Sequence, residues 1–263
     1  MAVSAAIDPG AHVAAGAILG EGVSVAAGAV IGTGALLGDG SAVGPCAVIE
    51  PGTVLGCGCV VEAGAVLGKR PRLRPGSAAA AAARELGPLE VGEEAVVCCG
   101  AVLYAGASIG RHAIIGDQSQ VRERAIVGER SVVGRGSCVD FGARLGARVL
   151  IQTGVYVTGG SLVEDDVFIG PGVQMTNDDT MDRLAPGEPL RAPILRRACR
   201  VGGGAVLVPG VEIGEEAYVA AGAVVTRNVG ARQLVMGIPA RVVRQVPDEQ
   251  LLERWRPARA GGP

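Results

Sequence analysis

Aliphatic residues recur along this chain at every sixth position. In "VLVPGVEIGEEAYVAAGAVV" (206–225) they stand at Leu207, Ile213, Val219 and Val225. A helix repeats every 3.6 residues and a strand every two, so a strict six is neither alone. It fits short extended segments, each ended by a bend, whose apolar faces are covered only by stacking the next segment on them. The register holds from Ile7 to Leu67, from Val91 to Met175 and from Leu195 to Val225. Gly commonly follows the aliphatic (Gly20, Gly32, Gly38, Gly110, Gly116), and the position four after it is small (Ala35, Ala47, Ala113, Ser131, Ala217). A backbone that bends every six residues needs small or φ-permissive residues at its corners. Three hexads close one coil, and parallel strands of successive coils stack about 4.8 Å apart, so the pattern predicts an all-β parallel β-helix of roughly ten coils.

Two stretches break the register. "GKRPRLRPGSAAAAAARELGPLE", near 69–90, begins basic and proline-bearing, and its alanine run predicts a short helix. "TNDDTMDRLAPGEPLRAPI" (176–194) is polar and acidic at its start. Loops of this length inside so regular a scaffold are functional or disordered. Past Pro247, "DEQLLERW" predicts a short terminal helix capped by Asp248, followed by a mobile tail "RPARAGGP". The chain therefore divides into a β-helix over 1–246 and a short helix and tail over 247–263.

Hydrophobic residues are 49% of the chain, yet aromatics are 2%, so the core must be narrow and filled by Val, Ile, Leu, Ala and Cys rather than by rings. A net charge of −2 argues against electrostatic attraction to nucleic acid or anionic lipid. No apolar run reaches the roughly eighteen residues of a membrane span. The start "MAVSAAIDPGAHVAAG" lacks the basic head and unbroken apolar stretch of a signal peptide, which makes the cytoplasm the default location. Seven cysteines, an odd number, argue against a disulfide framework. "CGC" and "CC" lack the Cys-x-x-Cys spacing of structural zinc, so the cysteines read as small fillers and no metal is expected.

With its hexads, its "VGGGAVLVPGVEIGEEAYVAAGAVVTRNV" block and its "VMGIPARVVRQV" segment, the chain resembles the hexapeptide-repeat acyltransferases over roughly residues 3–246. It stands nearest to the nucleotide-linked amino-sugar N-acetyltransferases. The resemblance implies a left-handed coil, an exception to the right-handed crossover rule. It implies acetyl-coenzyme A as acyl donor, a small-molecule acceptor, and a homotrimer with active sites at the seams. Carried over, Gly203, Gly204, Ala221 and Gly222 are the small residues along which a pantetheine arm lies. Arg227 and the "GIPAR" residues Ile238, Pro239, Ala240 and Arg241 would lie near the adenine and phosphates. The plainer alternative is that the glycines turn corners and the arginines are solvated. "LVEDDVFIGPGVQMTNDDT" resembles a stretch that shapes the family's active site, which points to Asn177, Asp178 and Asp179 as acceptor-binding residues. Glu164, Asp165 and Asp166 belong to the same stretch and read as a charged corner.

Catalytic candidates are few. His112, in "IGRHAIIG", sits three residues after its aliphatic, where the related UDP-N-acetylglucosamine O-acyltransferases carry a general-base histidine; a solvated corner histidine is the alternative. Asp140 occupies a position usually small, and amino-sugar acetyltransferases often have an acid there. Gln152 departs from glycine in the same way and could hold a sugar hydroxyl. Thr153 and Gly159 stand where many relatives have Asn and Glu, which puts the sugar in question. The chemistry implied is attack of an amine on an acyl thioester, with His112 or Asp140, or no side chain, taking the proton. A backbone N–H would meet the oxyanion. An O-acyltransferase or an amino-acid-pathway N-acyltransferase stays open. So does a non-catalytic structural β-helix, although the two insertions would have no task there. A γ-class carbonic anhydrase needs three histidine ligands and the chain has two histidines.

Overall fold

The computed structural model describes residues 5–74, 85–185 and 188–255. Every aliphatic of the six-residue register is the inward residue of a short strand. Ile31, Ile49, Leu103 and Ile169, for example, are the buried residues of the strands Val30–Ile31, Val48–Ile49, Val102–Tyr104 and Phe168–Ile169. Strands one coil apart pair in parallel, as Val97 pairs with Ile115 and Val121 with Val139. The result is a prism of three parallel sheets of 13, 11 and 10 strands. It is taller than the ten coils expected, because the largest sheet continues past Val225. There the strand Gln233–Gly237 adds in parallel to Tyr218–Val219 and turns back as the antiparallel strand Ala240–Gln245.

The core is one column of aliphatics lined by small residues. Ala35, Ala47, Ala113, Ser131 and Ala217, four after their aliphatics, are all fully buried. The corners separate two demands that the sequence reading had merged. At Gly38, directly after Leu37, a Cβ would lie 2.5 Å from the backbone nitrogen of Cys57 in the next coil, so closeness of coils excludes any side chain. The left-handed backbone falls two residues later, at Gly40 (φ 69°) and, in other coils, at Glu94, His112, Arg124 and Arg148. Both insertions leave the pairing intact, since Leu67 still pairs with Leu103 and Val163 with Leu195.

Two expectations at the C-terminus change. Asp248 does not cap the terminal helix: Pro247 holds the cap position with no side-chain bond, and Asp248 lies in the first turn of a 3-10 helix, Asp248–Gln250. "GIPAR" is the bend of the terminal hairpin, with a cis Ile238–Pro239 peptide. The alanine run of the first insertion and the tail from 256 lie outside the described residues.

Candidate active site

Each sheet gives way to a corner, and the corners stack into three vertical edges of different chemistry. The edge after the eleven-stranded sheet carries both insertions, which leave it past the strands Val66–Lys69 and Gln174–Met175. The two insertions touch: Arg74 meets Asp182 at 3.2 Å, across the coils between them. Asp178 folds its own loop to make this reach. Its Oδ1 accepts from the backbone N–H (2.6 Å) and hydroxyl (2.7 Å) of Thr180, and its Oδ2 from the N–H of Asp182 (2.7 Å). These bonds, led by that from Asp182, hold the Asp178 carboxyl below its usual range. Asp179 pairs with Arg191, and the Asn177 amide donates to the Gly159 carbonyl at 2.9 Å.

Under this link stands a column of polar side chains at the corner position one coil apart: Tyr104, Arg122, Asp140 and Thr158. The Lys69 ammonium donates to the Tyr104 hydroxyl at 3.4 Å, and the Arg122 guanidinium lies over the Tyr104 ring, 5.1 Å from its centre. Arg122 grips the buried Glu123 with two bonds, 2.8 and 2.9 Å, and reaches Asp140 Oδ1 at 3.3 Å. The same Oδ1 accepts the N–H of Phe141 at 2.8 Å. Asp140 Oδ2 accepts the hydroxyl of Tyr156 at 2.7 Å. Burial, and then the bond to Asp140, push the Tyr156 phenol well above its ordinary value. Asp140 is 7% exposed, so its carboxylate is held from three sides and its outward neighbour is Tyr156. The Phe141 ring lies against Gly159, where a Cβ would come within 2.7 Å of it. A side chain at 159 would therefore require the Phe141 ring to move.

The edge after the ten-stranded sheet is a ladder of ion pairs. Arg111 meets Glu129 at 2.8 Å, Arg148 meets Asp165 and Asp166 at 3.1 and 2.8 Å, and Arg196 meets Glu164 at 2.9 Å. Glu164, Asp165 and Asp166 thus form the charged corner read from the sequence. His112 is on this edge too, its Nδ1 3.2 Å from Glu94. The edge after the thirteen-stranded sheet carries Gln152, Gly203, Gly204, Ala221 and Gly222. A Cβ at Gly136, Gly154, Gly172, Gly204 or Gly222 would meet nothing within 4 Å, so the edge is an open strip of backbone.

The structure therefore gathers Asp140, Asn177, Asp178 and Asp179 on one edge, with Arg227 further along it, and sets His112 and Gln152 on the other two. Of the residues assigned to the coenzyme, four lie on the glycine strip, and Ile238, Pro239, Ala240 and Arg241 form the bend of the hairpin whose first strand leads off that same edge, Val235 pairing with Val219; Arg227 alone of the nine lies on the insertion edge. Sequence reasoning missed Tyr104, Arg122, Glu123 and Tyr156. The signal was available at the period of a full coil, because Tyr104, Arg122 and Asp140 interrupt the small residues at one corner position.

The family described as "Hexapeptide repeat of succinyl-transferase" matches residues 30–69, 124–159 and 198–227. A serine acetyltransferase of Buchnera aphidicola is 31% identical over 110 residues, 41% of this chain and 38% of that protein. A 2,3,4,5-tetrahydropyridine-2,6-dicarboxylate N-acetyltransferase of Enterococcus faecalis is 39% identical over 74 residues, 26% of this chain and 32% of that protein. The chain thus spans about a third of the length of these curated relatives. Among solved structures, the Arabidopsis UDP-N-acetylglucosamine acyltransferase superposes with a TM-score of 0.61 at 20% identity, covering 97% of this chain and 77% of that one, which shows the fold. In its repeat and its coil the chain is similar to these hexapeptide-repeat proteins, among them acetyltransferases. Among the described residues no helix is long and apolar enough to cross a membrane.

Proposed function

We propose that the protein transfers an acyl group from acetyl-coenzyme A to the amine of a small polar acceptor, an amino sugar first. The observation that carries this reading is the buried Asp140, bonded to Tyr156 under the link between the two insertions. The names of the relatives favour a second acceptor class, the hydroxyl or amine of an amino acid or related dicarboxylate. Bound, the thioester supplies an electrophilic carbonyl. The chain's part is to position the acceptor and remove its proton. As the amine nitrogen bonds to the thioester carbonyl carbon, its proton passes to Tyr156 Oη and the phenolic proton moves to Asp140 Oδ2, so charge never rests on the phenol; the C–S bond then breaks, the thiolate leaves to be protonated, and Asp140 returns its proton to solvent. Arg122 and Glu123 hold Asp140 in place. His112, on the ion-pair ladder, has no part in this route.

The glycine strip suits an extended coenzyme arm, but it lies on a different edge from Asp140. Side-by-side association would bring the strip of one chain to the insertion edge of another, and a homotrimer in the cytoplasm is therefore part of the proposal. Light scattering tests the assembly. Thiol release from acetyl-coenzyme A, screened over amino sugars, amino acids and hydroxylated acceptors, tests the reaction. Asp140→Asn and Tyr156→Phe should each lower kcat/KM by about 10²-fold or more, the usual scale for a lost proton acceptor, with His112→Ala near wild type. No thiol release with any acceptor, and no heat on mixing with acetyl-coenzyme A, would overturn the reading.

A further inference from the structure

On the glycine-strip edge, below the glycines, three successive coils place an acid, a thiol and an acid above one another. Val61 pairs with Val97 and Val97 with Ile115, so Glu62 and Cys98, directly after their strands, and Asp117, two residues after Ile115, share one corner of successive coils. One ligand-type atom from each lies within 4.8 Å of the other two. Glu62 and Cys98 are half-buried and Asp117 is exposed. Tetrahedral zinc, with bonds of about 2.3 Å to sulfur and 2.0–2.2 Å to oxygen, puts ligand atoms about 3.4–3.7 Å apart, so the three side chains would close on the ion by about 1 Å.

A second observation concerns charge. On the other two edges several pairs of carboxylates are answered by an arginine: Arg148 for Asp165 and Asp166, Arg196 for Glu164 and Glu212, Arg122 for Glu123 and Asp140. Among the described residues, no Lys, Arg or His forms an ion pair with Glu62 or Asp117. The positive charge is absent, and a thiol stands in the space between the acids. The third observation is orientation. Glu62 Oε2 accepts both the N–H and the thiol of Cys99, at 3.0 and 3.2 Å. Those bonds fix the carboxylate, as outer hydrogen bonds fix metal ligands, and leave Oε1 without a hydrogen bond among the described residues.

We propose that Glu62, Cys98 and Asp117 form a binding site for a borderline-soft divalent cation of the Zn²⁺ type. One thiolate with two carboxylates is a donor set that suits Zn²⁺ or Co²⁺ better than Mg²⁺ or Ca²⁺, which prefer oxygen alone. Binding replaces the Cys98 thiol proton with the metal and releases that proton to solvent. The site has a structural task as well. Glu62 precedes the first insertion and Cys98 follows it, so the ion would tie the coil before that long loop to the two coils after it. The cysteine spacing along the chain hides such a site, because its ligands are aligned by coil stacking rather than by sequence.

The test uses the full-length chain, stripped with chelator and titrated with Co²⁺. One equivalent should raise a thiolate-to-cobalt charge-transfer band, which Zn²⁺ then abolishes by competition, with about one proton released per ion. Cys98→Ser should remove the band, and Asp117→Asn should weaken binding about tenfold or more. Cys57→Ser, on the edge after the ten-stranded sheet, should leave it unchanged. Zn²⁺ should raise the Tm of the wild type and not that of Cys98→Ser, with circular dichroism verifying that each variant is folded. No band at one equivalent, or a band that survives Cys98→Ser, overturns the site. Neither result touches the acyl-transfer reading, whose proton acceptor stands on a different edge.

Discussion

A corner residue here answers to one of two constraints, and substitutions tell them apart. At Gly38 a Cβ would strike the backbone of the next coil, and no rotamer relieves that. At Gly34 (φ 69°) the space outside is open and only the left-handed backbone disfavours a side chain. Gly34→Asn should therefore cost less than about 1 kcal/mol, since Asn tolerates this region. Gly38→Ala should cost about 1–3 kcal/mol or more, as overpacking does. Urea denaturation of both variants measures the difference, and equal costs would mean that the coils can separate at Gly38. Cys98 supports a second test at this scale. Burial, followed by the charges of Glu62 and Asp117, pushes its thiol up to about 11. In the metal-free chain its alkylation, read by peptide mapping, should rise with a midpoint near that value. Because the fold favours the protonated thiol, the linked stability is whole below the ordinary value of 9.0 and is lost as pH rises through about 11.

At the scale of elements, the first turn of the second insertion, residues 178–182, is folded by a single carboxylate. Asp178 bonds to Thr180 and Asp182, and Asp182 carries the contact to Arg74. An exposed pair such as Arg74–Asp182 contributes little by itself, about 0–1 kcal/mol, so the loop's internal bonds matter more than the link. Asp178→Ala should leave the Tm near wild type, speed tryptic cleavage after Arg183 several-fold, and raise KM for the acceptor more than it lowers kcat. The carboxyl is held below its usual range, so the anchoring is complete above an ordinary pKa of 3.8 and fails as pH falls below it. Hydrogen exchange of residues 178–183 on either side of that pH reads it directly. The strands, the register and both insertions were legible because a period of six survives unaltered in the sequence. The site was only half legible. Asp140 announces itself by replacing a small residue, whereas its partner Tyr156 sits at an ordinary outward strand position and becomes visible only when residues one coil apart are set side by side. The terminal hairpin was hidden, since its second strand runs antiparallel and leaves the six-residue register.

The whole molecule is a stack in which each coil touches only the coils above and below it, and the consequences follow from that one-dimensional order. Interior aliphatics such as Val97, Leu103, Ile115 and Val121 are fully buried, while Ile7, in the first described coil, is 45% exposed. Ile115→Ala should cost about 2–5 kcal/mol, whereas Ile7→Ala should cost little. Opening should begin at the N-terminal end and move inward, so that amides of residues 6–25 exchange first and those of 97–163 last. The outer faces of these same early coils carry Ile18, Val30, Leu36 and Val60, at 62, 37, 39 and 40% exposure. Association side by side would cover them. Exchange at residues 18–60 should then slow as protein concentration rises, while the interior of the stack keeps its rates. If these amides exchange identically at every concentration, the chain stands alone, and the coenzyme arm and Asp140 must meet on a single prism across the face that bears Tyr156.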